Sequence, residues 1–190
     1  MNIVSYNIRG GGNSLKRKRI QECLKKGAAD ICFIQETKIQ DMNDNLVGSI
    51  WGGCNVGWSA KNSQGFSGGM LVLWKKEVIE VNFSFTGEGF LGIGATFKGV
   101  KCYFVNVYSS CNITLKRKMW EELLVLRGRW LDGEWCVGGD FNSIRCASER
   151  VGLVSSFRSQ EASEFNDFIE LMAVEDLPTG ERKFSWCQGG

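Results

Sequence analysis

At 190 residues, 43% hydrophobic and 12% aromatic, the chain can bury a substantial core, and its length favours one domain. A net charge of only +2 excludes strong whole-molecule attraction to nucleic acid, so any such attraction must be local, through Lys16-Arg17-Lys18-Arg19 and Lys116-Arg117-Lys118. The absence of histidine excludes Ser-His-Asp and Cys-His catalysis within this chain and leaves oxygen ligands that suit magnesium or manganese better than zinc.

Taken in order, residues 2–7 read as a strand that Gly10-Gly11-Gly12 breaks, and Asn13 or Ser14 can cap the helix that follows. Leu15, Ile20, Cys23 and Leu24 form its apolar stripe, Gly27 ends it, and Lys16 to Arg19 are expected on its solvated face. Residues 31–36 read as a second strand, parallel to the first if the helix is a crossover. From there to Ser67 the chain is glycine-rich and irregular apart from a short strand at 55–60. Strands at 68–74, 78–85, 90–97 and 101–108 then read as an antiparallel meander, with turns at Lys75-Lys76-Glu77 and Lys98-Gly99. A helix at 113–130, striped by Met119, Leu123, Leu126 and Trp130, leads into a strand through Trp135 to Asn142. A third helix at 159–172 carries Phe165, Phe168, Ile169 and Leu171, and Lys183 to Cys187 begins another strand.

Several strands with helices between them, but no regular βα alternation, predict an α/β sandwich of packed sheets with outer helices. No apolar stretch approaches the roughly 20 residues of a membrane span, and the N-terminus lacks the features of a signal peptide, so an intracellular protein with no membrane partner is expected. The 8 cysteines form no CxxC pair, and those at 23, 32, 102 and 136 are expected to be buried thiols.

Three apolar runs stop at polar residues: Asn7 after the first, Glu36 after the second, and Asp140 and Asn142 after Gly138-Gly139. Side chains alternate along a strand, so Asp140 and Asn142 should leave its end on the same side, and the three strand ends can bring all four residues to one edge. Two carboxylates about 5 Å apart would repel by roughly 3 kcal/mol at an effective dielectric of 20, and a bound divalent cation reverses that sign. Taken singly, each Asn or Asp is as readily a turn former.

Tyr6-Asn7-Ile8-Arg9-Gly10, Gln35-Glu36-Thr37-Lys38, Asn106-Val107-Tyr108 and Gly139-Asp140-Phe141-Asn142 stand in an order and spacing that resembles the endonuclease/exonuclease/phosphatase superfamily. Details such as Asn7-Ile8-Arg9-Gly10-Gly11, Gln35-Glu36-Thr37-Lys38 and Phe184-Ser185-Trp186 look most like the endonuclease domain of plant LINE-type retrotransposons. The resemblance implies a four-layer α/β sandwich and magnesium- or manganese-dependent cleavage of phosphodiester bonds in DNA. It implies Glu36 as metal ligand with Asn7 beside it, Tyr108 on the scissile phosphate, Asp140 orienting or deprotonating the attacking water, and Asn142 stabilising charge on the phosphoryl oxygens. Tyr108 also reads simply as an aromatic closing the core at a strand end.

The family completes its site with a Ser-Asp-His motif on a late strand, and this sequence ends at Gly190 before that motif could occur. The expectation is therefore a single domain over 1–190, truncated and lacking its last strands, monomeric, nuclear by function, and weak in DNA nicking. A phosphomonoesterase of phosphoinositides or phospholipids, and an inactive remnant or binding module, remain open.

Overall fold

The computed structural model describes residues 1–11, 13–63, 68–149 and 159–177. Gly12, the end of the loop before Gly68, and the expected strand at 183–187 with Pro178 lie outside the described residues. Two four-stranded mixed sheets stack face to face, each with helices on its outer side, and neither closes into a barrel. This is the expected α/β sandwich.

The first sheet has the order β1-β2-β4-β3, built from β1 (Ile3–Asn7), β2 (Ile31–Gln35), β3 (Val56–Lys61) and β4 (Met70–Lys75). β1 and β2 are parallel, because α1 (Ser14–Lys26) crosses over between them as predicted. Asn13 caps α1 by accepting from the Leu15 N–H, and Gly27 closes it with an N–H to the Cys23 carbonyl. The second sheet has the order β5-β6-β7-β8, from β5 (Glu80–Gly87), β6 (Phe90–Phe97), β7 (Val100–Tyr108) and β8 (Glu134–Asp140). β7 and β8 run parallel across α3 (Ile113–Arg129), and α4 (Ser159–Met172) packs beside α3.

Strand parity assigns the layers. Ile31 and Phe33 of β2 and Met70 and Val72 of β4 meet Leu91, Ile93 and Phe104 between the sheets. Cys32, Ile34, Leu71 and Leu73 point the other way, to Ile20 and Leu24 of α1 and to Val47 and Ile50. On the far side Phe90, Val105 and Val107 meet Met119, Trp120 and Leu123 of α3 and Phe165 and Phe168 of α4. The result is helix, sheet, sheet, helix, with three apolar seams.

Several expectations need correction. The four-strand meander is divided: 70–75 joins the first sheet, antiparallel to both β2 and β3, and only β5, β6 and β7 form the meander. The turn at Lys75 exists, with the Val78 and Ile79 N–H groups on the Lys75 carbonyl, but it carries the chain from one sheet to the other. Alternation identifies a strand, not its partner. The stretch expected to be irregular holds a helix, α2 (Asp44–Trp51), capped by Asn43 on the Leu46 N–H and ended by left-handed Gly52; its brevity hid it in a glycine-rich segment.

Leu15 and Leu171, expected in stripes, are exposed, and the α4 seam is made instead by Ala162, Phe165, Phe168 and Met172. Among the cysteines, Cys32 and Cys102 are buried, Cys136 is half-buried, and Cys23 is exposed, contrary to expectation. Burial pushes the Cys32 thiol well up and that of Cys136 to about 11, so neither is a nucleophile near neutral pH. Among the described residues, no helix is long and apolar enough to cross a membrane.

Candidate active site

The inward-facing parity that fills the seam between the sheets also builds the site. Along β1 it selects Ile3, Ser5 and Asn7; along β2 Ile31, Phe33 and Gln35; along β7 Cys102, Phe104, Asn106 and Tyr108; along β8 Cys136, Gly138 and Asp140. β1 and β2 are parallel, as are β7 and β8, and Tyr108 is in register with Asp140. Where the apolar seam ends, polar side chains from both sheets therefore converge.

Below the site lies a buried amide pair. Gln35 Nε2 donates to Asn106 Oδ1 across the two sheets at 2.7 Å and to Ser5 Oγ at 3.1 Å. Asn106 Nδ2 donates to the carbonyls of Ile34 and Leu71 at 3.0 and 3.1 Å. These bonds fix how the sheets meet directly beneath the polar cluster. Neither residue has a role legible in the sequence motifs, although a polar residue in the buried phase of an apolar strand is a visible signal.

Asn7 is the hub. Its Nδ2 donates to Glu36 Oε1 and to Asp140 Oδ2, both at 2.9 Å, so one amide joins carboxylates from two sheets. Glu36 also lies beside the Tyr108 phenol and 3.9 Å from Lys38 Nζ. Burial first, and then Glu36 and Asp140, push the Tyr108 phenol up to about 12. Tyr108 is thus a neutral donor at physiological pH. The structure brings Asn7, Glu36 and Asp140 together, as the strand ends suggested, and Tyr108, in register with Asp140, joins them.

Asn142 follows at an exposed left-handed turn, φ +48. Its backbone N–H donates to Asp140 Oδ1 at 3.1 Å, and its Nδ2 donates to the Ser109 carbonyl at 2.7 Å. One amide hydrogen of its side chain is thus committed to Ser109. Arg9, Glu36 and Lys38 share this left-handed conformation, with φ of 49, 53 and 53. Among the described residues, four of the seven non-glycine residues at positive φ therefore stand around one cluster, and such strain persists where surrounding bonds over-determine the backbone. Here the Thr37 and Lys38 N–H groups bond to the Gly69 and Gly68 carbonyls, and the Gly10 and Gly11 N–H groups to those of Glu36 and Thr37.

The expected basic patches are largely used up internally. Lys16 Nζ donates to the Ile8 and Arg9 carbonyls and Arg17 to that of Gly11, tying the loop after β1, while Lys18 and Arg19 stay exposed. Lys116 is buried, Arg117 forms a bidentate pair with Glu164, and Lys118 lies near Glu88 and Glu122, so the charges of 116–118 are each met by a carboxylate of the chain. Arg145, on the loop after β8, is held by Asn166 and Asp176. Lys38, 41% exposed, lies beside Glu36 and brings a positive charge to the site. Lys116, which reaches the Asn142 turn from α3, was not recognised in the sequence.

The donor set suits a hard cation. Glu36, Asp140 and the Asn7 side-chain carbonyl offer oxygen donors of the kind that hard divalent cations take, and a magnesium site needs only one or two carboxylates because the ion keeps several of its waters. Among the described residues no three His, Cys, Asp or Glu side chains cluster as a metal site.

A family model described as Endonuclease/Exonuclease/phosphatase family matches residues 4–186. An exodeoxyribonuclease of Bacillus subtilis (strain 168) is 27% identical over 98% of this chain and 79% of its own length. Among solved structures, the 3' phosphatase NExo from Neisseria bound to a product DNA hairpin matches with TM-score 0.69 and 17% identity, over 90% of this chain and 71% of that one. TDP2 of D. rerio complexed with single strand DNA product matches with TM-score 0.58 and 18% identity, over 76% of this chain. The chain spans 61% of that protein, less than two thirds of its length.

Proposed function

We propose that this chain, which belongs to the Endonuclease/Exonuclease/phosphatase family, is a divalent-metal-dependent phosphodiesterase acting on DNA, of the type found in plant LINE-type retrotransposons. The observation that carries the reading is the Asn7 amide bonded at once to Glu36 and Asp140. It holds two carboxylates side by side at a strand-end cluster with a neutral phenol and an exposed lysine. That combination has little value for stability and considerable value for hydrolysing a phosphate ester. Similarity to nucleases and to structures holding DNA supports DNA as the substrate. The Asn7-Ile8-Arg9-Gly10-Gly11 and Gln35-Glu36-Thr37-Lys38 segments support the retrotransposon type.

Glu36, with the Asn7 carbonyl oxygen beside it, would hold magnesium or manganese. When bound, the ion neutralises phosphate charge. Asp140 orients the attacking water and accepts its proton; Asn7 fixes one of its oxygens and the Asn142 N–H the other, so its direction is set before substrate arrives. Tyr108 stays protonated through the working range and donates to a phosphoryl oxygen. The second amide hydrogen of Asn142 and the Lys38 ammonium meet the charge that develops on the same group.

Nicking of supercoiled plasmid with magnesium tests this, beside phosphate release from a 3'-phosphorylated oligonucleotide and from inositol phosphates. Nicking that Asp140→Asn lowers on the order of 10²- to 10⁴-fold supports the reading. Activity confined to monoesters, or nicking unchanged in Asp140→Asn, contradicts it.

A further inference from the structure

The Asn142 turn is held from behind by a buried cation. Lys116, on α3, is 2% exposed, and its ammonium directs three donors to the Asn142 carbonyl, to Ser143 Oγ at 2.9 Å, and to Glu161 Oε1 of α4. All three of its hydrogens are thereby used. Taking an ammonium out of water costs several kcal/mol, and an apolar side chain would fill the same space without that cost. A buried lysine is thus poorly explained by stability.

Its geometry suggests another reason. Asn142 is left-handed, and its N–H, carbonyl and side chain are each bonded: to Asp140 Oδ1, to Lys116, and to the Ser109 carbonyl. The Ser109 N–H in turn donates to the Asp140 carbonyl at 2.8 Å. The turn therefore closes on Asp140 from both sides, and Lys116 supplies the contact that anchors it to the helical layer.

We propose that Lys116 is a positioning residue: its buried ammonium locks the Asn142 turn so that the Asn142 N–H aims the Asp140 carboxylate. The catalytic consequence rests on the nuclease reading above, whereas the locking of the turn does not. The arrangement also couples α4 to the site, because Glu161 holds the same ammonium and accepts from Ser143 Oγ at 3.3 Å.

The test compares the parent with Lys116→Met and Leu123→Ala. Leu123 is fully buried on the same helix, away from the turn, so its truncation controls for a loosened α3. For each protein, exchange of the Asn142 amide is followed by NMR against Val105 as a core reference, and kcat and KM for plasmid nicking are measured. Lys116→Met is expected to speed Asn142 exchange about tenfold relative to Val105 and to lower kcat on the order of 10²-fold with KM little changed. Leu123→Ala should lower the melting temperature at least as much while leaving relative Asn142 protection and kcat near the parent values.

Equal loss of kcat in both variants, or unchanged Asn142 exchange in Lys116→Met, overturns the proposal. If the parent does not nick DNA, the nuclease reading fails and the exchange data alone decide the locking of the turn. If Lys116→Met does not fold, the parent decides: its Lys116 ammonium protons should exchange slowly enough to be seen, and rapid exchange contradicts the lock.

Discussion

Replacing Glu36 by glutamine should have opposite effects on stability with and without a divalent cation. Glu36 Oε1 and Asp140 Oδ2 each lie 2.9 Å from one amide nitrogen, Asn7 Nδ2. With the two amide hydrogens about 120° apart, the oxygens are about 5 Å from each other. At an effective dielectric of 20 their charges repel by about 3 kcal/mol. Glutamine removes that repulsion but weakens the hydrogen bond from Asn7, at a cost of about 1 kcal/mol. Lys38, 3.9 Å away and 41% exposed, subtracts a few tenths more. The metal-free variant should therefore be more stable than the parent by about 1–2 kcal/mol, a rise of about 2–8 °C in Tm for a domain of this size. With magnesium at about 100 times its dissociation constant the parent should gain about 2.7 kcal/mol and the variant almost nothing, so the order of melting reverses. Thermal melts by circular dichroism in EDTA and in saturating magnesium read both arms. A variant that melts below the parent in EDTA and gains as much from magnesium would refute both the repulsion and the assignment of Glu36.

Three further outcomes are expected. Because burial first, and Glu36 second, raise the Tyr108 phenol to about 12, the folded state holds that proton more tightly than the unfolded chain does, so its contribution to stability is whole below about pH 10 and lost as pH rises through about 12. In an alkaline absorbance titration the transition that Tyr108→Phe removes should lie near pH 12, and in Glu36→Gln it should fall but stay above 10; ionisation at the ordinary value would contradict the buried phenol. Gly139, at φ +134, leaves room only for hydrogen: a Cβ there would lie 2.8 Å from Val107 N and closer still to its carbonyl oxygen, so Gly139→Ala should cost about 3 kcal/mol or more in urea unfolding, and a loss under about 1 kcal/mol would show that β7 and β8 can shift apart. Asn106→Leu strands the Gln35 amide and two carbonyls in a fully buried layer and should cost about 2–4 kcal/mol, with less than additive loss when combined with Gln35→Leu; full additivity would mean the two amides act separately.

What was legible in the sequence was local. Alternation and glycine breaks marked β1, β2, β6, β7 and β8, the caps Asn13 and Gly27 bounded α1, and the strand-end positions of Asn7, Glu36 and Asp140 already implied a shared edge. Which strands pair was not legible, because β4 has the same local pattern whether it neighbours β5 or lies between β2 and β3, and only burial against both layers selects the second arrangement. The cations were misread for the same reason. Lys116, Arg117 and Lys118 look like one basic run, yet their fates are a buried ammonium, a bidentate pair and a loose surface contact. Charge along a chain is a property of residues, whereas the partner of each charge is settled by elements that arrive from elsewhere: α4 for Lys116 and Arg117, and the β5–β6 turn for Lys118. The Asn7 amide is the clearest case, since Glu36 and Asp140 are 29 and 133 residues away from it and only the stacking of two sheets brings both carboxylates to one nitrogen.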